Sequence, residues 1–137
     1  MAYWLMKSDP DVYSYSDLEK DKKTVWDGVS NNLALKHLRN MQRGDQALIY
    51  HSGEEKALVG IAEIVSAPYP DPKENDPKLV VVELVPRQRL ARPISLSEIK
   101  LQKKWRNFEL VRMPRLSVMP VPEGVWAGLL RMIQPAR

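Results

Sequence analysis

Trp26 is followed at once by Asp27 and Gly28, and two amides, Asn31 and Asn32, come just after. A flat indole beside side chains that both donate and accept hydrogen bonds suits a planar polar ligand such as a base. Gly28 gives the backbone the freedom to take φ > 0 there. The competing reading is that Trp26 fills a core and the asparagines cap the next helix. Lys7 and Ser8 close an apolar run, residues 3–8, and so stand at a strand end facing a phosphate or a base edge; otherwise the hydroxyl only satisfies backbone. Tyr50, His51 and Ser52 close a second run. Neighbours on a strand point to opposite faces, so His51-Ser52 is not a nucleophile–base pair, and no Gly-x-Ser-x-Gly elbow occurs. His51 is either a pocket hydrogen-bonding group or a satisfied structural histidine. His37 is expected on the surface. With two histidines and no cysteine, a transition-metal site, thiolate chemistry and disulfides are not expected.

Charge adds a second kind of chemistry. Of 137 residues, the first 86 carry 10 basic and 14 acidic side chains, the remainder 11 basic and 3 acidic. A one-sided basic excess is the footprint of a polyanion binder, though a solvated charged face would look the same. Arg89, Lys103, Lys104 and Arg106 are the candidate phosphate contacts, with Arg87, Arg92 and Lys100 in the same basic half. Trp105 among them is expected to be exposed or interfacial. Arg115 and Ser117 share a strand face by their spacing; Arg115 meets a phosphate or pairs with Asp9 or Asp27.

The elements that must position these residues follow from apolar periodicity and breakers. Residues 3–8 form a buried strand stopped by Asp9-Pro10. Ser14, with Asp17 in the first turn, caps a short helix. Residues 22–26 are extended. Asn31 or Asn32 caps a helix to about Met41, with Leu35, Leu38 and Met41 on one face and Gly44 as its terminator. Residues 47–52 and 57–65 make an antiparallel hairpin in which Gly60 marks a bulge or a close backbone approach. A proline-rich loop, residues 68–77, leads to a strand at 78–85, which either ends at Pro86 or continues through residues 87–90. Ser95 and Glu98 form a capping box opening a helix to about Gln102. Residues 115–119 form a last short strand or extended turn, and residues 122–133 a closing helix with Pro122 near its first turn. About five strands interleaved with four or five helices give an α+β fold: a mixed, mostly antiparallel β pseudo-barrel surrounded by short helices, in one domain spanning residues 1–137. Trp4 and Trp126 belong to its core. No apolar run reaches membrane-spanning length and no secretory signal is evident at Met1, so a cytoplasmic or nuclear protein, not a secreted one, is expected.

Six segments together resemble the EVE domain family of the PUA-like superfamily: residues 3–10, 24–29, 44–45 with 50–52, 59–63, 69–71 and 115–120. Each is weak alone; the ordered set is specific. The resemblance implies a pseudo-barrel with a cavity at one end, as in YTH and SRA domains, which hold a flipped modified base there. It implies a nucleic-acid-binding module for modified bases, modified cytosine in DNA first, with RNA possible, no membrane partner, no cofactor and a monomer by default. YTH domains also place a Lys-Ser pair at the end of an early strand, as Lys7-Ser8 stands here. On this reading Trp26 stacks on the base. Ser8, Asn31, Asn32, Tyr50, His51, Ser52 and Ser117 line the polar side, while Lys7 and Arg115 approach phosphates. Three positions depart from the family pattern: Ser30 stands for the usual Arg, Leu33 for Gln, and Asp9 for Glu. No catalytic constellation emerges. The alternatives are a modified-RNA binder, an enzyme acting on a nucleotide with Asp9, Asp27 or His51 as acid or base, and a small-molecule sensor.

Overall fold

In the computed structural model, which describes residues 1–133, the strands are β1 (Tyr3–Ser8), β2 (Thr24–Trp26), β3 (Gln46–His51), β4 (Ala57–Ile64), β5 (Tyr69–Pro70), β6 (Val80–Ser95) and β7 (Val118–Pro120). The helices are α1 (Tyr15–Asp21), α2 (Asn32–Arg39), α3 (Leu96–Lys100), α4 (Glu109–Arg112) and α5 (Glu123–Met132), with a 3-10 turn at Lys103–Trp105. The seven strands form one curled sheet in the order β2-β6-β4-β3-β1-β7, with β5 on β6. β1 runs parallel to β3, and every other pair is antiparallel. This is the mixed, mostly antiparallel pseudo-barrel of the α+β class that the sequence implies. Among the described residues no helix is long and apolar enough to cross a membrane.

Local chemistry sets the element starts. Ser14 caps α1 in a full capping box with Asp17, and Ser95 does the same for α3 with Glu98. Asn31, not Asn32, caps α2: its Oδ1 accepts the Ala34 N–H at 3.0 Å. Leu35 and Leu38 from α2 and the following Met41 then bury against the sheet. The helix does not run to Gly44. It stops at Arg39 because the buried Asp45 carboxylate takes the Gln42 N–H at 2.9 Å, together with Trp4 Nε1 at 2.9 Å and the Ala2 N–H at 3.0 Å. Gly44, at φ +96°, serves the turn into β3.

Both readings of Gly60 hold. The β4–β6 register shifts between Leu58 and Gly60, and a Cβ at Gly60 would lie 2.3 Å from Tyr15 Cε1. That ring crosses the sheet, and its hydroxyl donates to the Ile61 carbonyl at 2.8 Å. β6 is longer than the sequence suggests: it passes straight through Pro86 and Pro93. Pro86 is tolerated because it sits at the second register shift, where the ladder is already interrupted. α3 ends at Lys100, short of Gln102, and α4 and the 3-10 turn occupy a stretch in which no helix is expected.

Three expectations fail on packing. Trp105 is buried, at 6% exposure, because its ring lies over Gly128 of α5. Arg115 and Ser117 lie in a turn and a bend before β7, so strand spacing does not relate them. His37 is half-buried, its ring 6.1 Å from that of Trp4, and burial holds its imidazole below the ordinary value.

Candidate functional site

The parallel pairing of β1 with β3 sets Lys7 opposite Tyr50 and Ser8 opposite His51. Beyond Ser8 the chain leaves the sheet through Asp9-Pro10. β7 closes the other edge of β1, and the Lys7 N–H donates to the Ser117 carbonyl at 2.9 Å. At the far edge, β2 pairs with β6, Trp26 opposite Val82. Curling of the sheet brings these ends together around a cavity of about 830 Å³, within the usual range of small-molecule sites.

Lys7, Ser8 and Asp9 contribute one wall, and Ser117 adjoins it. Val12 and Tyr13 come from the turn before α1, and Lys23 to Asn31 form the opposite wall through β2 and the loop into α2. Lys73 reaches in from the proline-rich loop. Gly28, at φ +77°, makes the turn that carries the wall from Trp26 to Asn31.

Trp26 is both core and wall. It is 8% exposed, and Tyr13 meets its ring edge-on with centroids 6.5 Å apart. Tyr13 is itself anchored, its hydroxyl donating to Asp21 at 2.9 Å. Ser8 Oγ donates to the Tyr13 carbonyl at 2.5 Å, which ties the aromatic turn to β1 and leaves the hydroxyl oxygen able to accept from a ligand. Asn31 divides its amide: the oxygen caps α2, and the nitrogen keeps its donors for the cavity.

The lysines of the wall are not equivalent. Lys23 pairs with Glu83 at 2.9 Å and Lys73 with Asp27 at 3.8 Å. Lys7 makes no ion pair among the described residues. Its Nζ donates to the Pro114 carbonyl at 2.9 Å and lies 5.4 Å from the centre of the Tyr50 ring. Burial lowers its ammonium pKa below the usual lysine value.

Other candidates stand elsewhere. Tyr50 is buried in the core beneath Lys7, and Asn32 and Ser52 do not line the cavity. The Ser52 N–H instead closes the strand end by donating to the Ser8 carbonyl at 2.9 Å. His51 is turned away from the cavity: its Nε2 accepts the Tyr15 N–H at 2.9 Å and its Nδ1 meets Glu55 at 2.9 Å. It is a structural histidine, because both ring nitrogens are engaged. Arg89 is held by Glu19 and Ser16 and lies over the Tyr15 ring. Lys103, Lys104 and Arg106 are exposed, Lys104 lying 5.2 Å over the Trp105 ring. Arg115 is exposed next to Pro114, the residue whose carbonyl holds Lys7. Asp27 pairs with Lys73, not with Arg115. Tyr13 and Lys73 are wall residues that sequence reasoning missed. Tyr13 follows a strand-ending Asp-Pro, a weak signal of a loop folding back on the strand end; Lys73 gives none.

Known proteins share this fold. The EVE domain family matches residues 2–132. Rat thymocyte nuclear protein 1 is 32% identical, over 95% of this chain and 73% of its own length. The solution structure of Rpa0253 from Rhodopseudomonas palustris is 38% identical, with a TM-score of 0.92 over 97% of this chain and 93% of that one. The crystal structure of human THYN1 in complex with DNA containing 5-methylcytosine is 29% identical, with a TM-score of 0.91 over 100% of both chains. With its cavity, Trp26 wall and Lys7-Ser8 strand end in place, the chain belongs to the EVE domain family.

Proposed function

We propose that this chain binds DNA and takes a modified base, modified cytosine first, into the cavity between Trp26 and the Lys7-Ser8 strand end. The observation that carries this is the position of Trp26, on a cavity wall and fixed edge-on by Tyr13. The likeness to human THYN1, whose structure holds 5-methylcytosine DNA, supports it. Removing a base from a duplex costs a few kcal/mol, and stacking on an aromatic returns about 1–3 kcal/mol. Ser8 accepts, and Asn31 and Lys7 donate, the balance of a base-edge contact.

The site holds its ligand without turning it over. Asp9 and Asp27 are the acids on the wall, and His51 is committed to Tyr15 and Glu55. A DNA reader of this kind works in the cytoplasm, or in a nucleus where there is one. The test is a titration of tryptophan emission with unmodified, 5-methylcytosine and 5-hydroxymethylcytosine duplexes at one stated salt concentration, with modified single-stranded RNA as competitor. Tighter binding of one modified duplex is expected. Equal, steeply salt-dependent binding of all three refutes the base pocket, and preferential capture by the RNA moves the target.

A further inference from the structure

We infer that Lys7 is a nucleophile poised for aldehydes, so that a cytosine bearing a formyl group is held in the cavity as a reversible imine rather than by contacts alone. This rests on the base-pocket reading above.

The argument starts from the contrast among the wall lysines. Lys23 and Lys73 each face a carboxylate. Lys7 faces a backbone carbonyl and an aromatic ring. A carbonyl also accepts from a neutral amine, though more weakly than from an ammonium, so this hydrogen bond aims the nitrogen without requiring its charge. Half-burial then favours the neutral form, the form that attacks carbonyl carbon. Lys7 also lines the same cavity as Trp26, Ser8 and Ser117.

The chemistry balances without a further reactant. The Nζ lone pair adds to the formyl carbon, and the proton lost from nitrogen passes to the oxygen, giving a carbinolamine. Loss of that hydroxyl with a second nitrogen proton, as water, leaves the C=N bond. Water from the open mouth of the cavity reverses both steps, so the linkage behaves as tight binding until it is reduced.

The experiment uses the full chain and a duplex carrying one 5-formylcytosine, treated with sodium cyanoborohydride and resolved under denaturing conditions, with the modified peptide mapped by mass spectrometry. Parallel arms carry 5-methylcytosine, which has no aldehyde, and an abasic site, which has an aldehyde but no base to stack on Trp26. Protein is added to saturation in every arm, and saturation is checked by anisotropy on the same samples. One adduct is expected, on Lys7, with the formyl duplex ahead of the abasic one. It is lost in K7R, which keeps the cation, and retained in K36R, which alters an exposed lysine of α2. Its rate should rise with pH and level off below the ordinary lysine value of 10.5. An adduct spread over surface lysines and undiminished in K7R overturns the inference, as does saturated binding of the formyl duplex with no adduct. Failure to bind any modified duplex overturns the base-pocket reading itself and is recognised separately, by anisotropy.

Discussion

Replacing Trp26 with leucine separates its two roles. The indole is 8% exposed, paired through β2 with Val82, and met edge-on by Tyr13. Truncation to alanine would therefore cost about 3–5 kcal/mol of stability, a large part of the roughly 5–15 kcal/mol that holds a domain together. Leucine keeps apolar bulk behind the wall and removes only the flat π face. Loss of one base–aromatic stack is worth about 1–3 kcal/mol, which is roughly five- to 140-fold in Kd at 1.4 kcal/mol per decade. The assay is fluorescence anisotropy of a labelled 5-methylcytosine duplex at fixed salt, with circular dichroism and urea titration confirming that W26L is folded. The weakening should be confined to the modified duplex, leaving the salt-dependent binding of unmodified DNA in place. A folded W26L with unchanged affinity for the modified duplex would refute the stacking role and leave Trp26 as a core residue.

Three further outcomes follow from the geometry. Gly60→Ala sets a methyl 2.3 Å from a Tyr15 ring that is 1% exposed and hydrogen-bonded at its hydroxyl, so it should cost at least about 1–3 kcal/mol in urea unfolding; a neutral result would mean that the ring can shift. His51→Ala leaves the buried Tyr15 N–H without its acceptor and should cost about 1–3 kcal/mol, with duplex affinity unchanged wherever the variant is folded; a selective loss of affinity would return His51 to the binding site. Burial, opposed by Glu109, holds His37 below its ordinary 6.5. The unfolded chain therefore takes up the proton first: the stabilisation is complete above 6.5 and is lost as pH falls through the lower folded value. Melting temperatures across that window should fall in the native chain and lose this component in His37→Phe.

What the sequence discloses is what short-range chemistry decides. Ser14 with Asp17 and Ser95 with Glu98 each satisfy a helix start within four residues, and both helices begin where those pairs stand. β1 and the β3–β4 hairpin follow from apolar runs between breakers. The failures are long-range. Trp105 looks exposed among Lys103, Lys104 and Arg106 because the glycine that receives its ring, Gly128, lies on the last helix. The run of β6 beyond Leu90, through Pro93, is not legible, and whether the strand passes Pro86 stays open because the bulge that accommodates Pro86 belongs to its pairing with β4. For His51, period-two alternation separates it from Ser52 but does not say which face meets the cavity, and Tyr15 decides that. Trp26, Ser8, Lys7, Asn31 and Ser117 were legible because each sits beside a strand end or a glycine turn.

The distribution of charge decides how such a site would work on DNA. The basic half of the chain looks like a broad polyanion surface, yet Arg87 is held by Glu63, Arg89 by Glu19, Arg92 by Glu98 and Arg112 by Glu109. Those guanidiniums tie β6 to β4, α1 and α3 and brace α4, and are poorly placed to release counterions from a duplex. At the cavity, Ser30 carries no charge, and Lys23 and Lys73 are already matched by carboxylates. Among the described residues Lys7 is thus the wall lysine without an acidic partner, and exposed Lys103, Lys104, Arg106 and Arg115 remain candidate phosphate contacts on the surface. Each phosphate neutralised contributes a slope of roughly 0.9 in log affinity against log salt, so a few such contacts give weak, shallowly salt-dependent attachment to any sequence. Against that background, the proposed stacking on Trp26 and contacts from Ser8, Asn31 and Lys7 would supply most of the difference between one base and another. On the proposed function, selectivity would therefore be a property of the cavity rather than of the surface field.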